Sequence, residues 1–271
     1  MYELYCLKST KTGGKIEGKK MIKKLSIVLE KKNDITYLKG SLFHGILMEQ
    51  VDPAYGEILH LDGLKPYSQS LHYEDDKLIW DINTLNEQAS KELIEPLTVG
   101  SFQKIEIKHD RKELEILEKR EVTDTYQDFV NRYYFENGNR RVHIQILSPT
   151  SFKQNGRYVF YPDIRLIFQS LMMKFDTFAD NFSICSEEVL EQLVDNTHII
   201  GYNLKSVRFH LEGISIPAFI GYMEVQINGP QPLVNLVHLL LRYGEYSGVG
   251  IKTSMGMGAM RITDKRRGER K

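Results

Sequence analysis

The apolar positions of the chain recur with two different periods, and these periods divide the sequence into elements. Alternating apolar residues predict a first β-strand over 24–30. Spacings of three and four predict an amphipathic helix over 37–51. We expect Asp52-Pro53 to end this helix, because proline cannot continue the backbone hydrogen-bond ladder.

The same reasoning continues through the chain and yields two similar cycles. The first cycle continues with the segment 65–71, a strand-like run at 77–82, a helix at 83–95, and strands at 100–107 and 114–124. The second has a strand at 142–147, helices at 163–175 and 187–195, strands at 205–213 and 214–227, a helix at 233–246 and a strand at 259–262. The order predicts an α+β fold of two tandem ferredoxin-like domains.

The domain boundaries follow from these cycles. Residues 1–20 lack periodicity, so we interpret them as an extension. Residues 21–126 form the predicted N-terminal domain and 127–271 the C-terminal one. The domains are joined near 126–139, and the polar run 137–141 is either part of that linker or a hairpin tip.

The composition of the chain excludes several kinds of protein. The 271 residues include 36 basic and 36 acidic side chains, so the net charge is zero. A net charge of zero argues against a protein that coats nucleic acid without selectivity, but it is compatible with a local basic face. Signal-peptide and membrane-helix patterns are absent from the sequence. Cys6 and Cys185 are too few for a disulfide framework or a cysteine zinc site. We expect a cytoplasmic protein without a cofactor.

The most informative stretch is the glycine-rich loop 248–258, with the sequence GVGIKTSMGMG. Two Gly-hydrophobic-Gly triplets flank five residues that include Lys252. Successive N–H groups in such a loop can bind an anion, and lysine adds a mobile charge. The alternative is a tight turn between a helix and the final strand. Walker and dinucleotide motifs are excluded, because here the predicted helix precedes the glycines.

This doubled pattern resembles the signature of CRISPR repeat-processing endoribonucleases of the repeat-associated mysterious protein (RAMP) superfamily. The segments 40–47, 59–68 and 148–150 resemble, in consistent order, the first helix, the region after it and the turn that opens the second domain of these enzymes. The resemblance implies a fold of two tandem RNA-recognition-motif-like domains and metal-independent cleavage of CRISPR repeat RNA. In this reaction the ribose 2′-OH attacks the adjacent phosphorus, which gives a 2′,3′-cyclic phosphate and a 5′-OH.

The resemblance also implies the catalytic residues His44, His60 and Lys65. We assign His44 as general base, His60 as general acid and Lys65 as the cation that stabilises the phosphorane, although the sequence leaves the two histidine roles interchangeable. The alternatives are that His44 is a core histidine and that His60 packs in a turn. Three tyrosines are substitutes: Tyr37, Tyr55 and Tyr67. Three other histidines are predicted to be structural: His143, His210 and His238. The histidine spacing predicts no metal site.

RNA binding is predicted for the glycine-rich loop and for basic residues near the first strand of the second domain. These residues are Gly248, Gly250, Lys252, Gly256, Gly258, Arg140, Arg141, Lys153 and Arg157. The basic residues could instead form surface salt bridges. The basic tail 264–271 is either a solvated end or a further RNA contact.

Three functions remain open at this point. The first is the endoribonuclease, a monomer or homodimer that binds CRISPR repeat RNA and has other effector-complex subunits as further partners. The second is a non-catalytic RAMP-type subunit that holds guide RNA. The third is an unrelated two-domain RNA- or nucleotide-binding protein in which the glycines only make a turn.

Overall fold

The structure, a computed structural model, describes residues 21–32, 34–107, 112–179, 183–211 and 213–263. The predicted extension 1–20 and the basic tail 264–271 lie outside the described residues.

The N-terminal half is built on a five-stranded antiparallel sheet with the order β2-β3-β1-β5-β4. Its strands are β1 (Met21–Leu29), β2 (Tyr67–Glu74), β3 (Lys77–Thr84), β4 (Lys104–Ile107) and β5 (Lys112–Thr125). Its helices are α1 (Gly40–Met48), α2 (Pro53–His60), α3 (Glu87–Ala89) and α4 (Glu95–Thr98), and a π-helical turn, Ser90–Ile94, joins the last two. Strands β1, β2, β3 and β5 have the ferredoxin-like order, and β4 extends the sheet beyond β5.

The C-terminal half repeats this arrangement in a four-stranded sheet with the order β11-β6-β10-β9. Its strands are β6 (Arg141–Thr150), β9 (Thr197–Leu211), β10 (Ile214–Ile227) and β11 (Met260–Thr263), with a separate hairpin of β7 (Phe152–Gln154) and β8 (Arg157–Val159). Its helices are α5 (Tyr126–Tyr134), α6 (Ile164–Phe178), α7 (Glu187–Asn196) and α8 (Gln231–Ser247). The predicted fold class, two tandem ferredoxin-like domains, is confirmed.

One element prediction near the first helix was wrong. Asp52-Pro53 does not end the helix of 37–51, because α1 already stops at Met48. Instead, the Asp52 carboxylate accepts hydrogen bonds from the N–H groups of Ala54 and Tyr55 and caps α2. Proline suits the first turn of a helix, where its missing N–H leaves no bond unmade.

The second domain also differs from its prediction in three places. Ser148-Pro149-Thr150 is the buried end of β6 and not a turn. Strand β9 begins at Thr197, well before the predicted 205, because the exposed residues of an edge strand do not alternate in polarity. The predicted linker contains helix α5, whose Phe129 packs edge-to-face against Tyr243 and Tyr246 of α8.

Helix α8 and strand β11 connect the second domain to the first. The Ser68 hydroxyl of β2 donates to the Tyr246 carbonyl at 2.5 Å. Arg261 of β11 pairs with Glu74 of β2 at 2.9 Å. The glycine-rich loop runs from α8 to β11, so it emerges at the junction of the two domains. Within the described residues, no helix combines the length and the apolar character that crossing a membrane requires.

Candidate active site at the junction of the two domains

Helix α1 presents His44 beside its buried face. Phe43 and Leu47 are fully buried, and Phe43 meets Trp80 of β3 edge-to-face at a ring-centroid distance of 5.1 Å. His44 is half-buried. The packing of its neighbours fixes the helix and leaves the imidazole at the edge of the core, where a substrate can reach it.

The ring of His44 lies next to Tyr67, the first residue of β2. Its Nδ1 is 3.3 Å from the Tyr67 hydroxyl oxygen, and the two rings are nearly parallel. Burial raises the pKa of Tyr67, and a hydrogen bond with the Ser254 side chain of the glycine-rich loop opposes this rise. Tyr67 therefore stays a neutral phenol at physiological pH and links the histidine to the loop.

The glycine-rich loop also touches the beginning of α1. A Cβ added to Gly256 would lie 2.7 Å from the Gly40 Cα, and one added to Gly40 would lie 2.8 Å from the Gly256 Cα. Gln69 completes this contact, since its side-chain amide donates to the Gly40 carbonyl at 2.8 Å. The two backbones approach so closely that neither position has room for a side chain.

A buried lysine holds the loop from inside. The Nζ of Lys174 on α6 donates to the carbonyls of Gly248 at 2.9 Å, Ser247 at 3.1 Å and Gly250 at 3.5 Å, and to the Thr253 hydroxyl at 3.5 Å. Burial lowers the pKa of Lys174 to about 7. This side chain supplies donors to carbonyl groups that would otherwise be buried without partners.

The loop glycines are packed inside the protein. Gly248, Gly256 and Gly258 are buried and Gly250 is half-buried. A Cβ on Gly250 would lie 2.3 Å from the Ser151 carbonyl oxygen. Lys252, by contrast, is exposed and opens the 3₁₀ turn Thr253–Met255. A phosphate would meet the loop at this tip, and whether the glycines themselves bind RNA stays a prediction.

His60 and Lys65 lie in a more open region. His60 is the exposed last residue of α2, and Lys65 precedes β2, the strand that carries Tyr67. The Lys65 ammonium donates to the Leu61 carbonyl. Tyr55 of the same helix α2 is buried, and burial raises its pKa to about 12. The predicted catalytic roles of His44, His60 and Lys65 remain predictions.

The four predicted basic residues separate into two pairs. Lys153 and Arg157 are exposed on the β7–β8 hairpin, whose first residue, Phe152, lies beside Gly250. Arg140 donates to the Gly229 carbonyl at 2.8 Å, and Arg141 lies 3.6 Å from Glu224. The second pair sits at the opposite end of β6 from the loop, roughly 30 Å away at about 3.3 Å per residue. Of these four residues, Lys153 and Arg157 are therefore the two that lie near the glycine-rich loop.

The remaining histidines predicted to be structural are spread over the second domain. His238 bonds to the Asn139 carbonyl at 2.7 Å, and burial lowers its pKa. His143 lies 3.8 Å from Glu224, and His210 is exposed on β9. In the described part of the chain, no three histidine, cysteine or acidic side chains are grouped so that they could hold a metal ion.

Comparison with known proteins gives the family. The model of CRISPR-associated endoribonuclease Cas6 matches residues 144–260. A Cas6 endoribonuclease of Streptococcus thermophilus is 30% identical over 230 residues, which are 83% of this chain and 91% of that protein. The chain belongs to the Cas6 family. A Cas6 endoribonuclease of Mycobacterium tuberculosis H37Rv is also 30% identical, over 82% of this chain and 71% of its own.

Solved structures agree on the fold. A Cas6 product complex has a TM-score of 0.73 at 20% identity and covers 90% of this chain and 100% of that one. Thermus thermophilus Cas6 has a TM-score of 0.68 at 19% identity, over 90% and 99% of the two chains. This Cas6 protein is accordingly an endoribonuclease with the RAMP-type fold.

Sequence reasoning missed four residues of the site: Gly40, Gln69, Lys174 and Ser254. Gly40 and Gly256 lie at opposite ends of the chain, so neither predicts the other. Lys174 lies in an amphipathic helix, where a single lysine is expected to face the solvent. Ser254 offered a weak signal, because it stands inside the loop beside Lys252.

Proposed function

We propose that this Cas6 protein cleaves CRISPR repeat RNA without a metal ion, at a site formed by α1, the end of α2, the start of β2 and the glycine-rich loop. The observation that supports it most directly is the contact of His44 with Tyr67, which the loop residue Ser254 also contacts. One similar Cas6 structure is a product complex and another is a substrate-mimic complex, so proteins of this fold hold the product and a mimic of the substrate of their reaction.

In the proposed reaction the 2′-OH loses its proton to one histidine while its oxygen attacks the adjacent phosphorus. The bond from phosphorus to the 5′-oxygen breaks, and the second histidine protonates that oxygen. The products are a 2′,3′-cyclic phosphate and a 5′-OH. Lys65 would offset the charge that develops on the phosphorane, while Lys252 and Lys153 would hold flanking phosphates.

The contact with Tyr67 bears on whether His44 is the base or the acid, because that role depends on which ring nitrogens of His44 carry a proton. If His44 is the base through Nε2, its Nδ1 must carry the ring proton and donate to the Tyr67 oxygen, which then accepts from both His44 and Ser254. If His44 is the acid instead, it must start as the imidazolium, whose Nδ1–H also donates to Tyr67 while Nε2–H gives up its proton, and the two histidines exchange roles. We propose the first arrangement, with His44 as base and His60 as acid.

The test is cleavage of labelled repeat RNA in EDTA by the wild type and by His44→Ala and His60→Ala. We expect one cut, its loss when a 2′-deoxy group stands at the cut site, and a fall in rate of about 10²–10⁴-fold for each alanine. Tyr67→Phe should slow cleavage less and should shift the pH–rate profile, because it removes the acceptor for Nδ1. Cleavage of the 2′-deoxy RNA, or activity that EDTA abolishes, would contradict the mechanism. Tight binding without cleavage would indicate a scaffold for guide RNA.

A further inference from the structure

An apolar groove lies at the outer edge of the second domain. One side is the connection between β8 and α6, and the other is the edge strand β9 with Phe219 of β10 behind it. The groove has a volume of about 390 Å³. Its lining residues are Phe160, Tyr161, Pro162, Ile199, Tyr202, Leu204, Lys205, Ser206 and Phe219.

Three aromatic rings of this groove face solvent. Tyr202 is 72% exposed, Tyr161 58% and Phe160 42%. Large aromatic side chains are normally placed where they bury area, so three of them around one groove indicate a binding surface. The groove is separate from His44, which lies on helix α1 of the other domain.

The charge of the surrounding segments identifies the occupant. The lining contains one cation, Lys205, and no carboxylate. The segments 152–161 and 197–211 together carry four lysine or arginine residues and two histidines, without one aspartate or glutamate. The carboxylate of the adjoining Asp163 caps α6, where it accepts from the Leu166 N–H at 3.0 Å. Half of all charged side chains in this neutral protein are acidic, so their absence from both segments favours a polyanion. Interfaces with other proteins, by contrast, are depleted in lysine.

We propose that this groove binds unpaired bases of the substrate RNA, which stack on Tyr161 and Tyr202 while Lys205 and Arg157 contact the backbone. Aromatic rings between cations are the usual means of holding single-stranded RNA without reading its sequence, because every base has a π-face. The inference rests on the proposed function and adds to it a second contact region, distinct from the cleavage site.

The test measures the dissociation constants of repeat RNA that carries a 2′-deoxy group at the cut site, together with versions shortened from either end. Stacking predicts that Tyr161→Ala and Tyr202→Ala each weaken binding of the full-length RNA by about 5- to 100-fold. One shortened RNA should bind the wild type and both variants equally. Tyr202→Phe should keep the wild-type affinity, because stacking needs the ring and not the hydroxyl. Phe135→Ala is the matched control, since Phe135 is 71% exposed but lies outside the groove.

Two results would overturn the proposal. The first is that both tyrosine variants bind every RNA as the wild type does. The second is that they change only self-association in sedimentation experiments, which would make the groove a protein-binding surface. Neither result would contradict the proposed function. The proposed function would fail if the wild type did not cleave full-length repeat RNA.

Discussion

The two regions proposed to serve cleavage, the glycine-rich loop 248–258 and the connection 61–66 between α2 and β2, are built in opposite ways. The loop is packed against α1, α6 and the end of β6, and Lys174 bonds its carbonyl groups from within. The connection is mostly exposed, including Leu61 at 66%. Changes in the loop should therefore act through geometry, and changes in the connection through the chemistry of single side chains.

Substitution of Gly256 should give the largest effect, because it acts on both domains at once. In Gly256→Ala the new Cβ would lie 2.7 Å from the Gly40 Cα, so α1 and the loop must move apart. A displacement near 1 Å at His44 is enough to lower the cleavage rate by about 10²-fold. Single-turnover cleavage of repeat RNA measures this loss, and thermal unfolding should show destabilisation of about 1–3 kcal/mol.

The matched control for this substitution is Gly213→Ala. Gly213 also has a positive φ, of 78°, but no atom lies within 4 Å of its Cβ position. Both variants suffer backbone strain, and only one suffers a clash. Equal rates for the two variants would show that the close contact between α1 and the loop does not matter for cleavage.

This contact marks the limit of what the sequence can predict. Alternating and helical spacings are local, so they correctly predicted two ferredoxin-like cycles, and the glycine triplets correctly indicated the family. The pairing of Gly40 with Gly256, however, depends on how two domains dock. Strand β9 was predicted too short because its exposed edge carries no apolar alternation. Lys174 gives no local signal, since its burial arises from the loop that folds over it.

Two lysines that both donate to backbone carbonyls allow the contrast between the regions to be measured. Lys174→Met leaves buried carbonyl groups without a donor and should lower the free energy of unfolding by about 1–3 kcal/mol. Lys65→Met, in the exposed connection, should change it by less than about 0.5 kcal/mol. Lys65→Met should nevertheless slow cleavage by about 10²-fold, if Lys65 stabilises the phosphorane.

Urea unfolding measures the free energy of unfolding of the two variants, and single-turnover cleavage measures their rates. The expected pattern is a loss of stability in Lys174→Met and a loss of rate with intact stability in Lys65→Met. A strong loss of stability in Lys65→Met would show that the connection, too, is held by its contacts. Lys174→Met with wild-type stability would mean that the loop does not depend on this ammonium group.

The smallest expected effect is the pH dependence of the same internal lysine. Burial lowers the pKa of Lys174 from 10.5 to about 7 in the folded protein. Between these two values the unfolded chain binds more protons than the folded one, so the contribution of Lys174 to the free energy of unfolding rises with pH. Methionine cannot titrate. The stability difference between the wild type and Lys174→Met should therefore grow by on the order of 1 kcal/mol from pH 6.5 to 8.5.

Comparing the two proteins at each pH cancels the other titrating groups, which both share. If the stability difference between the wild type and Lys174→Met stays constant or shrinks as the pH rises, the hydrogen bonds to the loop carbonyls raise the pKa of Lys174 more than burial lowers it. Lys174 would then stay charged in the folded state. A growing difference would mean that a neutral amine holds the loop above pH 7. Such an amine donates two hydrogen bonds where the ammonium donates three, so one of the contacts to Ser247, Gly248, Gly250 and Thr253 would weaken. Because Thr253 begins the 3₁₀ turn that carries Ser254, its contact is the one through which this loss would reach Tyr67 and His44.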